Sequence, residues 1–266
     1  MKLAPWVGRR LPVATNHRGR QVVVWLGSAL VLALVVWVLV ASALSWVAAG
    51  HLRPGRRRLL WVLAGIAITY LAGLYDDYRP ARTRGVVRQL AALRHGRVTP
   101  GVVKLVAITA AAAFTAWMLG DRGIRFVLAV PVLAGAANVW NLLDVVPGRA
   151  LKWFLPAAVG LAAASGVSEY RTLAAAAVGI SVALLVLDLL ELGMLGDGGS
   201  NVLGFVVGVG LVDTLSTAGL AIALAAVLVV HALAETVTLS RLIDAAPPLR
   251  WFDRLGRRDS RSTAGR

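Results

Sequence analysis

Three groups of polar residues interrupt an otherwise apolar chain, and their types suit phosphate and metal chemistry. Asp76 and Asp77 are adjacent, so their side chains diverge and do not easily chelate one ion together. One can face a metal and the other a nucleophile or a basic partner. The alternative is a solvated pair neutralised by Arg79 and Arg82. Asn138, Asn141 and Asp144 recur every three residues, which on a helix stacks them along one slowly drifting face. They line a site, or the asparagines hydrogen-bond a neighbouring helix while Asp144 is solvated. Gly196-Asp197-Gly198-Gly199-Ser200-Asn201 opens a helix after an apolar run. Its glycines admit a ligand close to the backbone, Ser200 can cap the helix, and the free N–H groups of the first turn suit a phosphate. Asp197 offers a hard oxygen to a divalent cation. An ordinary Gly-rich turn between helices has the same composition.

The elements that must position these groups are membrane helices. The chain of 266 residues is 58% hydrophobic, with a mean hydropathy of +0.75, well beyond a soluble domain. A span needs roughly 20 apolar residues. Eight runs qualify: residues 22–47, 59–75, 102–119, 126–143, 151–167, 173–190, 202–215 and 217–239. The first is too long for a signal-peptide core and reads as an uncleaved span. The seventh is short and Gly-rich. Pro131 and Pro156 fall inside spans, where neighbouring helices can satisfy the freed carbonyls. The expected fold is therefore an all-α, polytopic transmembrane bundle with its active-site cleft at the cytoplasmic face. Residues 1–21 form a cytoplasmic segment, 22–240 the membrane domain and 241–266 a basic amphipathic tail, whose residues 259–266 read as disordered.

Twenty-eight Lys and Arg against 13 acids leave a net charge of +15. Such an excess can serve nucleic acid, but here it alternates with apolar runs, as in loops facing an anionic leaflet. No nucleic-acid partner is expected. Cysteine is absent, which excludes disulfides and thiolate metal sites. An even span count puts both termini on one side. Nineteen of the 28 basic residues lie in the segments on that side and seven in the opposite loops, so the termini are expected in the cytoplasm. Arg53, Arg56, Arg57 and Arg58 run against this, since they would face outward. All three polar groups fall on the cytoplasmic side.

In order and spacing the three groups resemble the polyprenyl-phosphate N-acetylhexosamine-1-phosphate transferases, the superfamily of the phospho-MurNAc-pentapeptide translocase. Gly73-Leu74-Tyr75-Asp76-Asp77-Tyr78 is similar to its aspartate-pair motif. Asn138-Val139-Trp140-Asn141-Leu142-Leu143-Asp144 is similar to its N-x-x-N-x-x-D motif, and Leu195-Gly196-Asp197-Gly198-Gly199-Ser200-Asn201-Val202-Leu203-Gly204 to its G-D-x-G-S-x-x-L-G motif. The resemblance covers residues 59–241. It departs from the family where Val145, Val146 and Pro147 replace an Asp-Gly continuation, where a His-rich cytoplasmic loop is absent, and in having eight rather than ten spans. The family's lysine soon after the aspartate pair is also missing, with Arg79 or Arg82 as substitutes.

The resemblance implies transfer of a sugar-1-phosphate from a UDP-sugar to a polyprenyl phosphate, with release of UMP, in the cytoplasmic membrane during cell-envelope glycan synthesis. Mg²⁺ would be held by Asp197, with Asp144 or Asn141. Asp76, Asp77 and Asp144 would be the catalytic acids, Asp76 or Asp77 orienting the lipid phosphate. Asn138, Asn141, Gly198, Ser200, Arg79 and Arg88 would bind substrate. Phosphoryl transfer demands positioning and charge neutralisation above all. A phosphate monoester, with a second pKa near 6, has mostly lost its last proton at pH 7, so a strict general base is optional.

Two basic segments remain. Residues 85–97 and 249–258 each combine apolar and arginine residues and read as amphipathic segments at headgroup level. His231 and Glu235 read as a satisfied pair, and Asp188 and Glu191 as boundary acids. The rival functions are a catalytically inactive relative that binds a lipid-linked precursor and a transporter or flippase with ion-coupling acids.

Overall fold

The computed structural model describes residues 12–15, 19, 21–49, 54–79, 91, 94–96, 98–237 and 239–257. Residues 259–266 and most of segment 85–97, Arg88 included, lie outside them. A short antiparallel hairpin comes first, β1 (Val13–Thr15) pairing with β2 (Gln21–Val23). Eight long helices follow: α1 (Leu26–Ala49), α2 (Pro54–Tyr78), α3 (Pro100–Leu119), α4 (Gly123–Leu143), α5 (Arg149–Ala164), α6 (Ser168–Leu189), α7 (Gly196–Thr214) and α8 (Thr217–Thr236). Two short helices, α9 (Leu239–Ala245) and α10 (Pro247–Arg254), end the described chain.

Local signals explain several boundaries. The Thr99 hydroxyl accepts the Val102 N–H and Pro100 occupies the first turn of α3, where its missing donor costs nothing. Gly120, in the left-handed region at φ 96°, ends the same helix, and the Ser216 side chain caps α8.

Among the described residues, six helices are long and apolar enough to cross a membrane: α1, α2, α3, α4, α6 and α8. Large apolar side chains such as Leu32, Leu71, Val106, Val127 and Ile222 face outward from them, as lipid-facing surfaces do. The expected eight spans thus correspond to eight helices, of which two fall outside that class. With 16 residues, α5 is about 24 Å long at 1.5 Å per residue, short of a hydrocarbon core of about 30 Å. The polar opening and glycines of α7 lower its hydropathy, and this helix is the core of the bundle, buried along most of its length. Gly204 lets α4 approach it closely, since a Cβ there would come 2.2 Å from the Ala136 carbonyl oxygen.

The long helices alternate in direction. At one end, residues beside or within the start of α7 meet the start of α1 (Leu26 N–H to Met194 O, 3.1 Å), the end of α2 and the start of α3. The turn before α5 joins the end of α6 there as well. At the other end, Arg58 near the start of α2 pairs with Asp213 near the end of α7. Arg125 of α4 bonds Asp121 (2.7 Å) and the carbonyls of Val212 and Leu215. The arginines expected to face outward are not a loop cluster: Arg56, Arg57 and Arg58 belong to α2, and Arg53 lies outside the described residues.

Candidate functional site

The polar groups meet where α2, α3, α4 and α7 converge. Lys104, in the first turns of α3, places its ammonium 2.7 Å from Asp76 Oδ2 and 2.5 Å from Asp197 Oδ2. Its side chain and that of Asp76 are each 12% exposed, against 33% for Asp197, so Asp197 is the carboxylate that opens outward. Asn141 of α4 completes the group. In the amide orientation that satisfies every partner, its NH₂ donates to Asp197 Oδ1 (3.0 Å) and Ser200 Oγ (3.1 Å), while its oxygen accepts from Lys104 Nζ (3.3 Å). The Ser200 hydroxyl is then free to donate to the Gly196 carbonyl at 2.7 Å.

Asp77 has a different task from its neighbour. Its two carboxylate oxygens accept the N–H groups of Asp197 and Gly198 at 2.9 and 3.0 Å. It therefore caps α7 from another helix, setting a negative charge against the positive end of the helix dipole. The contact requires glycine at residue 73, where a Cβ would come 2.5 Å from the Asp197 carbonyl oxygen. The adjacency of Asp76 and Asp77 thus sends one carboxylate to a lysine and the other to a helix end. Asp144 follows the last turn of α4. Desolvation pushes its carboxyl well above the ordinary range; the charges of Asp188, Asp197 and Asp77 add to this, and the Gly196 amide pulls the other way.

The remaining candidates are placed as follows. Gly198 and Ser200 are buried: Gly198 lies against Tyr70 and Leu74, and Ser200 bonds within the protein. Asn138 donates at 2.8 Å to His231 Nε2, whose Nδ1–H donates to the Val227 carbonyl at 2.7 Å, so this asparagine joins α4 to α8. Arg79 is exposed and lies over the Tyr75 ring, 5.3 Å from its centroid. Asp188 is no boundary acid: it is 2% exposed and accepts the Gly148 N–H at 2.8 Å.

Lys104 is the site residue that motif reading passes over, because it lies 27 positions beyond Asp77. A signal was present. A lone cation near the start of an apolar run costs roughly 2.5–3.5 kcal/mol at membrane depth unless paired, which predicts a carboxylate partner.

Beside the cluster, α1 and α2 form an apolar groove of about 420 Å³ lined by Val24, Trp25, Leu32, Tyr70, Leu74 and Tyr78. The Tyr70 hydroxyl shares a 2.7 Å hydrogen bond with Ser28. Val24 and Tyr70 also pack against Gly196 and Gly198, so the groove reaches the α7 end of the site.

Among the described residues no group of three or more His, Asp or Glu is arranged to hold a metal. A hard cation of the magnesium type needs less, since it binds through one or two carboxylates and keeps waters and substrate phosphates. The cluster sets several carboxylates against one ammonium, a donor set that fits such an ion. Comparison of the chain with family models, curated proteins and solved structures finds no match.

Proposed function

We propose that this protein transfers a sugar-1-phosphate from a UDP-sugar to a polyprenyl phosphate. The observation that carries the reading is Lys104 held between Asp76 and Asp197, which joins two distant motifs through a residue that belongs to neither. In the reaction a lipid phosphate oxygen attacks the sugar-bearing phosphorus of the nucleotide. The bond to UMP breaks, UMP leaves with the electron pair, and a lipid-linked pyrophosphate forms.

Asp197, the most open carboxylate, would hold Mg²⁺ with Asp144, and the ion would supply charge neutralisation to the diphosphate. Lys104 is a second cation at the same place and can meet a phosphate oxygen if Asp197 turns to the metal. Asp76 holds that ammonium in position. Asp77, occupied by the α7 amides, supports the site rather than orienting the lipid phosphate. The groove between α1 and α2 suits a polyprenyl chain, since it is apolar and leads to the charged cluster. The site end then faces the cytoplasm, in keeping with the partition of basic residues. Arg58 and Arg125 at the opposite end are paired with acids and weigh little against it.

A second reading, lipid binding without turnover, draws on Asp77: it fills the amides that a phosphate would otherwise take. One experiment separates the two. Purified protein with polyprenyl phosphate, Mg²⁺ and a panel of UDP-sugars should release UMP with one of them. Binding of the lipid phosphate with no UMP from any donor would favour the second reading.

A further inference from the structure

Among the described residues, the largest fully buried side chain is that of Arg149, at the start of α5. Its guanidinium makes a bidentate pair with Asp253 of α10, Nε to Oδ1 at 2.8 Å and Nη2 to Oδ2 at 3.0 Å. The third donor, Nη1, reaches Ser240 Oγ at 2.7 Å. The two charged side chains are 2% and 1% exposed. Lys152, one turn along α5, donates to the carbonyls of Asp253 and Leu255, and Arg257 also reaches Asp253. Phe252 meets Trp153 edge-on, with ring centroids 5.1 Å apart. A segment that reads in sequence as a basic amphipathic tail is thus fastened to the bundle through the buried acid Asp253.

The fastening point adjoins the candidate site. Arg149 directly follows the turn that begins at Asp144, and its own N–H closes that turn on the Val146 carbonyl at 3.1 Å. The Leu189 side chain lies against both Gly148 in the turn and Gly256 beyond α10. Turn and tail therefore share a wall. We infer that Asp253 is a positioning residue: by holding Arg149 it fixes the turn that carries Asp144, so the C-terminal segment completes the site. This rests on the transferase reading for its effect on turnover, but not for its effect on the turn. Removing one partner of a buried, hydrogen-bonded ion pair strands the other charge, and a stranded Arg149 can be relieved only by moving toward water, taking the turn with it.

The absence of native cysteine allows a direct test on the full chain. A single cysteine replaces the half-buried Val146, and its modification by a maleimide is timed in detergent. Asp253→Asn, normalised to its folded fraction, should speed labelling several-fold. Phe252→Ala, which loosens the tail without unpairing Arg149, should speed it less. In the UMP-release assay Asp253→Asn should lower kcat while leaving KM for the nucleotide sugar near its parental value. Labelling at the parental rate in both variants would overturn the inference. So would parental kcat in folded Asp253→Asn protein whose turn labels faster, since the contact would then serve the fold alone. Absence of UMP from the parent would remove the transferase reading instead, and labelling alone would then decide whether the tail holds the turn.

Discussion

The two ends of the bundle treat charge in opposite ways. Away from the site, cations and acids are matched: Arg58 with Asp213 and Arg125 with Asp121. Arg125 also takes two carbonyls at the end of α7, where a cation complements the helix dipole. At the site end one ammonium serves Asp76 and Asp197, Asp77 serves the α7 amides, and Asp144 gathers further carboxylate charge around it. One end thus holds its acids in ion pairs with arginines, while the other sets several carboxylates around a single ammonium.

The sharpest way to break this comparison is to remove one cation from each end. Lys104→Met leaves two carboxylates unpaired and should cost about 3–5 kcal/mol of stability, with turnover lost. Arg58→Met strands Asp213, 3% exposed, and should cost a similar amount, yet turnover per folded molecule should be unchanged. Thermal melts in detergent and UMP release check both. Equal loss of specific activity from the two variants would erase the distinction between the ends.

Asp77→Asn sharpens the division of labour within the aspartate pair. It removes a charged cap from α7 and should cost about 1–2 kcal/mol, while turnover falls less than in Asp76→Asn. The reverse order, measured by UMP release, would return Asp77 to a direct role with substrate.

The smallest effect is acid sensitivity of the tail. Burial raises the Asp253 carboxyl, but the hydrogen bond and charge of Arg149, joined by Arg257, outweigh it and hold the group below its ordinary value. A carboxyl lower in the folded than in the unfolded chain contributes stability that is full above the unfolded value of about 3.9 and is lost as pH falls through the folded one. Docking of α10 should therefore persist to about pH 4 and weaken only below it. Hydrogen exchange of its amides checks this, and Asp253→Asn should abolish the acid step.

What the sequence revealed, and what it hid, follows the range of the interactions. Apolar runs and caps are local: the run at residues 102–119 became α3 (Pro100–Leu119), and the helical spacing put Asn138, Asn141 and Asp144 at the end of α4. Alternating direction then brought the three motifs to one end. Pairing is not local. In the sequence Lys104 and Arg149 have no acid beside them and Asp188 reads as a boundary acid, because each partner lies on another element, 104 residues away for Arg149 and Asp253. Asn138 shared its spacing with Asn141 but turned to His231, a choice that depends on where α8 packs. The short, Gly-rich seventh run already stood apart in the sequence as α7, but the fifth did not, since only the length of the folded helix separates α5 from the spans.

The central claim is that Asp197 is the carboxylate through which the site meets its cation, and one substitution tests it. Asp197→Asn keeps size and polarity, and Asp76 still pairs with Lys104, so the fold should survive. UMP release from the UDP-sugar that the parent accepts should fall by a hundredfold or more, the scale of losing one preorganised electrostatic contact of about 3–4 kcal/mol. Turnover at the parental rate in folded Asp197→Asn protein, at saturating Mg²⁺, would contradict the account.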